Sequence, residues 1–281
     1  MTVSDTELTA FAASHDIIAL GVAADAVRRS RHGAATTFVR VASVDVAPAA
    51  PIDVAPAAGE VRIAGAPATR DAALTRVREV AAAAGGRPLS GFSLSDLEAL
   101  ALRDRTTLRS LLEELHAAGL ELVSEAPFEQ LRDARRSIEE VNIAGLALAR
   151  LTIHQLPSED VPALYRTIAS LQYDVGVIRA FAPLPRTVNP AVPTTGFDDV
   201  KRVALARLWI ESIPSIQVDW ALYGPKLAQV ALTVGADDVD AVSPLDDASE
   251  GRRRAPLEEV RRNITAAGLE PVERDGRFDR R

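Results

Sequence analysis

The chain has 281 residues, a net charge of −7 and no cysteine. The missing cysteine excludes disulfides, thiolate nucleophiles and cysteine-ligated zinc or iron–sulfur sites, and the acidic balance leaves no basic footprint for nucleic acid. Hydrophobic residues make up 47%, enough to bury a core, yet no apolar run reaches the roughly 18–20 residues of a membrane helix. No membrane partner is therefore expected.

The N-terminus, MTVSDTELTAF, has neither a basic n-region nor an apolar h-region, so a cytoplasmic location is expected. Ser4 and Glu7 have the spacing of a capping box before a short helix. Asp16 precedes a second helix, 17–31, marked by Ile18, Val22, Ala26 and Val27. Gly33 ends it. The cluster Arg28, Arg29, Arg31 at its end reads as a solvated terminus favourable to the helix dipole rather than as a phosphate site. The β-branched, alternating stretch 36–46 is the first strand. Residues 47–59 follow as APAAPIDVAPAAG, in which Pro48, Pro51 and Pro56 exclude a helix or central strand. This segment reads as an extended, semi-rigid loop.

Further strand patterns lie near 60–64, 88–92, 121–124, 146–153, 176–181, 215–218 and 238–242. Helical patterns fall between them. One covers 71–84, one opens at 92–104 with Ser93 or Ser95 as cap, and one is capped by Thr106. Others cover 127–141, 157–171 and the stretch after Phe197, whose apolar stripe includes Val203, Ala204 and Leu208. Gly224 and Pro225 open another, with Leu227, Val230, Ala231 and Val234 as its stripe. A helix from 256 to 267 and a short strand precede a charged tail. Gly65-Ala66-Pro67 has neither the spacing of a phosphate loop nor that of a dinucleotide fingerprint. The four histidines, His15, His32, His116 and His154, show no metal-ligand spacing, so no metal is assigned.

The stretch YGPKLAQVALTVGADD, 223–238, resembles the C-terminal signature of the menaquinone and deazaflavin branch of radical S-adenosylmethionine (SAM) enzymes. That branch contains aminodeoxyfutalosine synthase, dehypoxanthine futalosine cyclase and the subunits of FO synthase. LARLWIESIPSIQVDWALYG, ADAVRRSRHG, LRSLLEELHAAGLELV, FAPLPR and EEVRRNITAAGLEPVERD resemble further segments of it. The resemblance implies a barrel in which the loop after strand one carries Cys-x-x-x-Cys-x-x-Cys for a [4Fe–4S] cluster. Here that loop is 47–59, with no cysteine or histidine and Asp53 as its one acid. Cofactors are accordingly expected to be none. SAM affinity is expected to fall with the cluster, whose free iron chelates SAM in the family, and Gly65-Ala66-Pro67 has lost much of the family's glycine. Family members continue the acidic pair of Asp237 and Asp238 into a Gly-Thr step, where this chain has Ala241 and Val242.

Eight strands alternating with helices imply an α/β fold, a (β/α)₈ barrel over residues 36–281 with an N-terminal helical extension, 1–35. An open doubly wound sheet is the alternative. The site of such a barrel is its C-terminal mouth. Arg179, Gln217, Asp219, Trp220, Asp237 and Asp238 are the candidate substrate-binding residues. Asp237 and Asp238 would point to opposite faces, so one could reach a pocket while both could equally be turn and cap carboxylates. No base, nucleophile or metal set converges, and no catalytic residue is assigned.

Two functions follow. One is a non-catalytic or auxiliary relative of aminodeoxyfutalosine synthase in futalosine-dependent menaquinone biosynthesis, a pseudoenzyme partnered by a nucleoside-like or aromatic ligand, a cysteine-bearing paralogue or a pathway enzyme. The other is an enzyme using polar chemistry on a futalosine-type nucleoside or aromatic acid.

Overall fold

A computed structural model describes residues 5–155, 161–187, 195–246 and 255–281. Eight parallel strands form a closed barrel: β1 (Ala35–Asp45), β2 (Glu60–Ala64), β3 (Leu89–Ser93), β4 (Leu122–Pro127), β5 (Ala147–Ile153), β6 (Ile178–Pro185), β7 (Ser215–Asp219) and β8 (Asp238–Val242). They pair in sequence order, and β1 closes the ring by pairing with both β8 and β2. A ninth strand, β9 (Glu270–Glu273), joins the same edge of β1 below β2. Ala35–Phe38 of β1 face β9, and Val41–Asp45 face β2.

The helices are α1 (Asp5–Ala13), α2 (Ile17–His32), α3 (Arg70–Ala84), α4 (Leu94–Arg103), α5 (Leu108–Ala117), α6 (Ala134–Ile143), α7 (Val161–Val175), α8 (Gly196–Trp209), α9 (Trp220–Thr233) and α10 (Pro256–Ala266). Every strand-to-strand crossover of the barrel carries a helix except the first. Between β1 and β2 the proline-rich loop makes the passage alone, as its composition predicts. Arg76 of α3, 2% exposed, holds that loop in place. Its guanidinium donates to Asp45 O at 2.9 and 2.7 Å and to Ala50 O at 3.0 Å. Ile52 and Val54 pack on the core beside it.

Several local expectations change. Pro127 ends β4 instead of starting a helix. A single 3₁₀ turn, Phe128–Gln130, follows, and α6 begins only at Ala134, capped by Asp133. Thr107, not Thr106, caps α5. Ile18 and Val22 lie on the exposed face of α2, whose buried face is Leu20, Gly21, Ala24, Val27 and Arg28. Helix α9 starts four residues before Gly224, with Asp219 accepting from Leu222 N, and Gly224 (φ 74°) breaks it where Pro225 restarts it. Val230 of α9 is exposed, and Ala228, Ala231 and Leu232 carry its packing. The start of the helix expected at 157–171 and much of the loop expected at 182–196 lie outside the described residues. No described helix is long and apolar enough to cross a membrane.

Candidate functional site

Charge fills the bore of the barrel near its C-terminal mouth. Asp240 of β8, 1% exposed, accepts a bidentate pair from Arg62 of β2 at 2.9 and 2.8 Å. It also pairs with Arg150 of β5. These strands are not neighbours, so both contacts cross the interior. Glu125 of β4 lies 4.0 Å from Arg150 and 3.3 Å from Arg186, just after β6. Arg186 reaches Asp219 at the end of β7 at 3.0 Å. His154, just after β5, stands 3.4 Å from Glu125. Below Asp240, Glu60 contacts Arg62 at 2.8 Å and accepts from Ser90 at 2.5 Å.

This lattice sets the protonation of its members. Burial opposes the charge on Glu125, yet facing His154 and the charges of Arg150 and Arg186 hold its carboxyl down to about 2. Burial is likewise outweighed at Asp240, where Arg150 and Arg62 keep the carboxyl well below the usual carboxylate range. Both stay ionised and hydrogen-bond acceptors at neutral pH. A carboxylate with so low a pKa is a weak general base.

A second buried cluster lies deeper, toward the N-terminal ends of the strands. Asp238 accepts from Arg274 at 2.6 and 2.7 Å, from Thr37 at 2.5 Å and from Gln217 at 2.7 Å. Arg274 follows β9 and is 1% exposed, with Phe278 against its guanidinium at 3.8 Å. The C-terminal residues thus plug this end of the barrel, and Arg277 pairs with Glu121 at 2.6 and 2.8 Å at its rim.

The candidate residues therefore divide. Asp219 and Trp220 stand at the mouth, Asp219 bound to Arg186 and Trp220 7% exposed at the start of α9. Gln217 and Asp238 are bonded to each other in the deeper cluster. Asp237 turns away from it, accepting from Arg207 of α8, from Ser215 Oγ and from Ile216 N. Arg179 is exposed and lines a groove at the opposite end of the barrel, with Gly145, Gly176 and Arg277. The mouth residues not singled out from sequence are Arg62, Glu125, Arg150, His154, Arg186 and Asp240. The available signal was an arginine inside each of the apolar strand runs VRIAG and GLALARLTI.

The loop at the position of the family's cluster does not fit an iron–sulfur group. It has no thiolate or imidazole, and the carbonyl of Ala50 within it, like that of Asp45 just before it, faces the buried guanidinium of Arg76. Among the described residues, no group of three or more His, Cys, Asp or Glu is placed to hold a metal ion.

The fold and this mouth define a closed (β/α)₈ barrel in which arginine–carboxylate pairs occupy the bore. Methylornithine synthase shares the backbone, with a TM-score of 0.66 over 97% of this chain and 95% of that one at 13% identity. So does the HydG maturase of the [FeFe]-hydrogenase from Carboxydothermus hydrogenoformans, at 0.66 over 96% and 76% and 13% identity. At such identity these two likenesses speak for the fold alone. No protein-family model matches the sequence.

Aminodeoxyfutalosine synthase of Thermus thermophilus is 30% identical over 213 residues, 62% of this chain and 55% of that protein. Cyclic dehypoxanthine futalosine synthase of Streptomyces coelicolor is 25% identical over 207 residues, 64% and 51% of the two chains. The 5-amino-6-(D-ribitylamino)uracil–L-tyrosine 4-hydroxyphenyl transferase of Archaeoglobus fulgidus is 36% identical over 121 residues, 38% and 35%. The chain, which has no cysteine, is thus similar over part of its length to enzymes of this menaquinone and deazaflavin group. It spans about half the length of the two futalosine-pathway relatives.

Proposed function

We propose that this barrel performs no radical SAM chemistry and serves as a non-catalytic, auxiliary relative of aminodeoxyfutalosine synthase in futalosine-dependent menaquinone biosynthesis. Its partner is a nucleoside-like or aromatic pathway ligand, or a cysteine-bearing paralogue or pathway enzyme. It carries no cofactor. The observation that supports this reading best is the pairing at the mouth: Asp240, Glu125 and Asp219 each face at least one arginine of the chain itself. A site whose carboxylates are already neutralised holds no free base for proton transfer, and radical chemistry belongs to a cofactor that the 47–59 loop cannot ligate. Ligand contact at the mouth falls to Asp219, Trp220 and Arg186.

The test is anaerobic reconstitution of the full chain with iron and sulfide, followed by an iron count, an absorbance spectrum and an assay for SAM cleavage. The expected result is no cluster absorbance, and no 5′-deoxyadenosine. About four irons per chain, as in a cubane cluster, would overturn the proposal. The second reading, polar chemistry on a futalosine-type nucleoside or aromatic acid, draws on His154 beside Glu125 at the mouth. Turnover of such a substrate without iron or reductant, abolished in His154→Gln, would select it.

A further inference from the structure

Arg28 is not the solvated helix end that its sequence suggests. Its side chain is 0% exposed on the buried face of α2. Nε reaches Asp25 Oδ1 at 2.9 Å, while Nη1 and Nη2 are buried without a hydrogen-bond partner. On α8, which packs against α2, Arg207 is also 0% exposed. Its Nε donates to Gly235 O at 2.8 Å and its Nη2 to Asp237, but Nη1 is buried without a partner. His32 presents a third such group, Nε2, 3.6 Å from Asp237. Gly235 permits this approach, since a Cβ there would lie 2.8 Å from Arg207 Cβ and 3.2 Å from Ala24 Cβ.

Among the described residues, Arg31 and Arg207 pair with Glu211 and Asp237, while Arg28 has to share Asp25 with Arg29. Burial, with Arg31 and Arg28, draws Arg207 down to about 9, so it remains a cation at neutral pH. Burial, then Arg207, Arg31 and Arg28, push His32 down to about 4, so it adds no charge there. Each buried guanidinium has one carboxylate partner, but its remaining buried N–H groups lack an acceptor, which is strongly unfavourable.

We propose that the seam between α2 and α8 is a binding site for a small inorganic anion of the chloride class, held by Arg28 Nη1 and Nη2 and Arg207 Nη1. All three nitrogens are shielded from solvent, which suits a monatomic anion rather than a hydrated oxyanion. The bound anion fastens the N-terminal helix to the barrel, and the site is separate from the mouth.

An anion bound only by the folded state raises its stability by mass action. The full chain is exchanged into sodium fluoride, chloride or bromide at equal ionic strength, and Tm is measured. Chloride and bromide are expected to raise Tm by several degrees over strongly hydrated fluoride, saturating with concentration, and Arg28→Met is expected to lose this dependence. Crystals of the unaltered chain grown in bromide are expected to show an anomalous peak within hydrogen-bond distance of Arg28 and Arg207. That readout stands even where Arg28→Met does not fold. Equal Tm in the three halides, or no anomalous peak at that position, overturns the proposal.

Discussion

Asp237 and Asp238 are adjacent in the chain and serve opposite sides of the barrel wall. Asp237 ties the start of β7 to helix α8 through Ser215, Ile216 N and Arg207. Asp238 ties β1, β7 and the C-terminal segment together inside the bore through Thr37, Gln217 and Arg274. The alternation of side chains along a strand makes this division possible. It also turns an acidic pair that looks like a site into two structural anchors.

Arg274→Met should therefore be severe. It leaves buried Asp238 without its cation, a loss of about 3–5 kcal/mol for a broken buried pair. Adding Asp238→Asn to it should recover part of that loss, because the stranded charge goes with it. Urea unfolding would check both, and a single-variant loss below about 1 kcal/mol would show that water reaches Asp238.

Arg76→Met should loosen the first crossover. The three bonds from Arg76 to Asp45 O and Ala50 O hold a loop that has no helix to order it. Removing a buried charged donor strands these carbonyls at about 1–3 kcal/mol each. Limited proteolysis should move its first cut into 47–59, with the barrel fragments otherwise intact. An unchanged cleavage pattern would place the loop's order in its prolines and in Ile52 and Val54.

Most of the barrel is legible in sequence because period-2 runs and helical stripes are local signals. Strand β2 matches its expected bounds, and the absence of a helix before it follows from Pro48, Pro51 and Pro56. The mouth is not legible in the same way. Arg150 and Asp240 are 90 positions apart, and Arg62 and Asp240 are 178 apart. Nothing in VRIAG or GLALARLTI tells which carboxylate lies across the bore. Arg179 illustrates the same limit: it sits on the right strand but near its N-terminal end, so the groove it lines is at the far end of the barrel. Ile18 and Val22 have helical spacing, yet the face that packs is chosen by α8 and by the end of α9, where Val234 meets Gly21 and Gly235 meets Ala24.

Ala241→Gly should be tolerated or stabilising. Ala241 has φ 58°, in the left-handed region that favours glycine. A Cβ there costs roughly 1–2 kcal/mol, against about 0.5–1 kcal/mol for the greater chain entropy of glycine. The net expectation is a gain of about 0.5 kcal/mol, the difference of these two terms, read as a higher Tm. Ala241→Val, with a branched Cβ in the same conformation, should lower Tm instead.

Stability should fall on acidification in two stages that different residues own. His32 is pushed from the ordinary 6.5 down to about 4, mainly by burial and then by Arg207, Arg31 and Arg28. Its folded pKa lies below its unfolded one, so between these values the unfolded chain binds the extra proton. By linkage, stability then drops as pH falls from 6.5 toward 4 and levels off below. Glu125 is depressed from 4.5 to about 2, and Asp240 is held lower still. Their contribution is complete above the unfolded carboxylate values and is lost as pH falls from about 4.5 through 2 and beyond. Urea midpoints measured from pH 7 to 2 should therefore show an early decline and a later, steeper one. His32→Gln should flatten the first and leave the second in place. A wild-type profile already flat from pH 6.5 to 4 would mean that protonated His32 is accommodated beside Asp237, with Arg207 and Arg28 neutralised by something else.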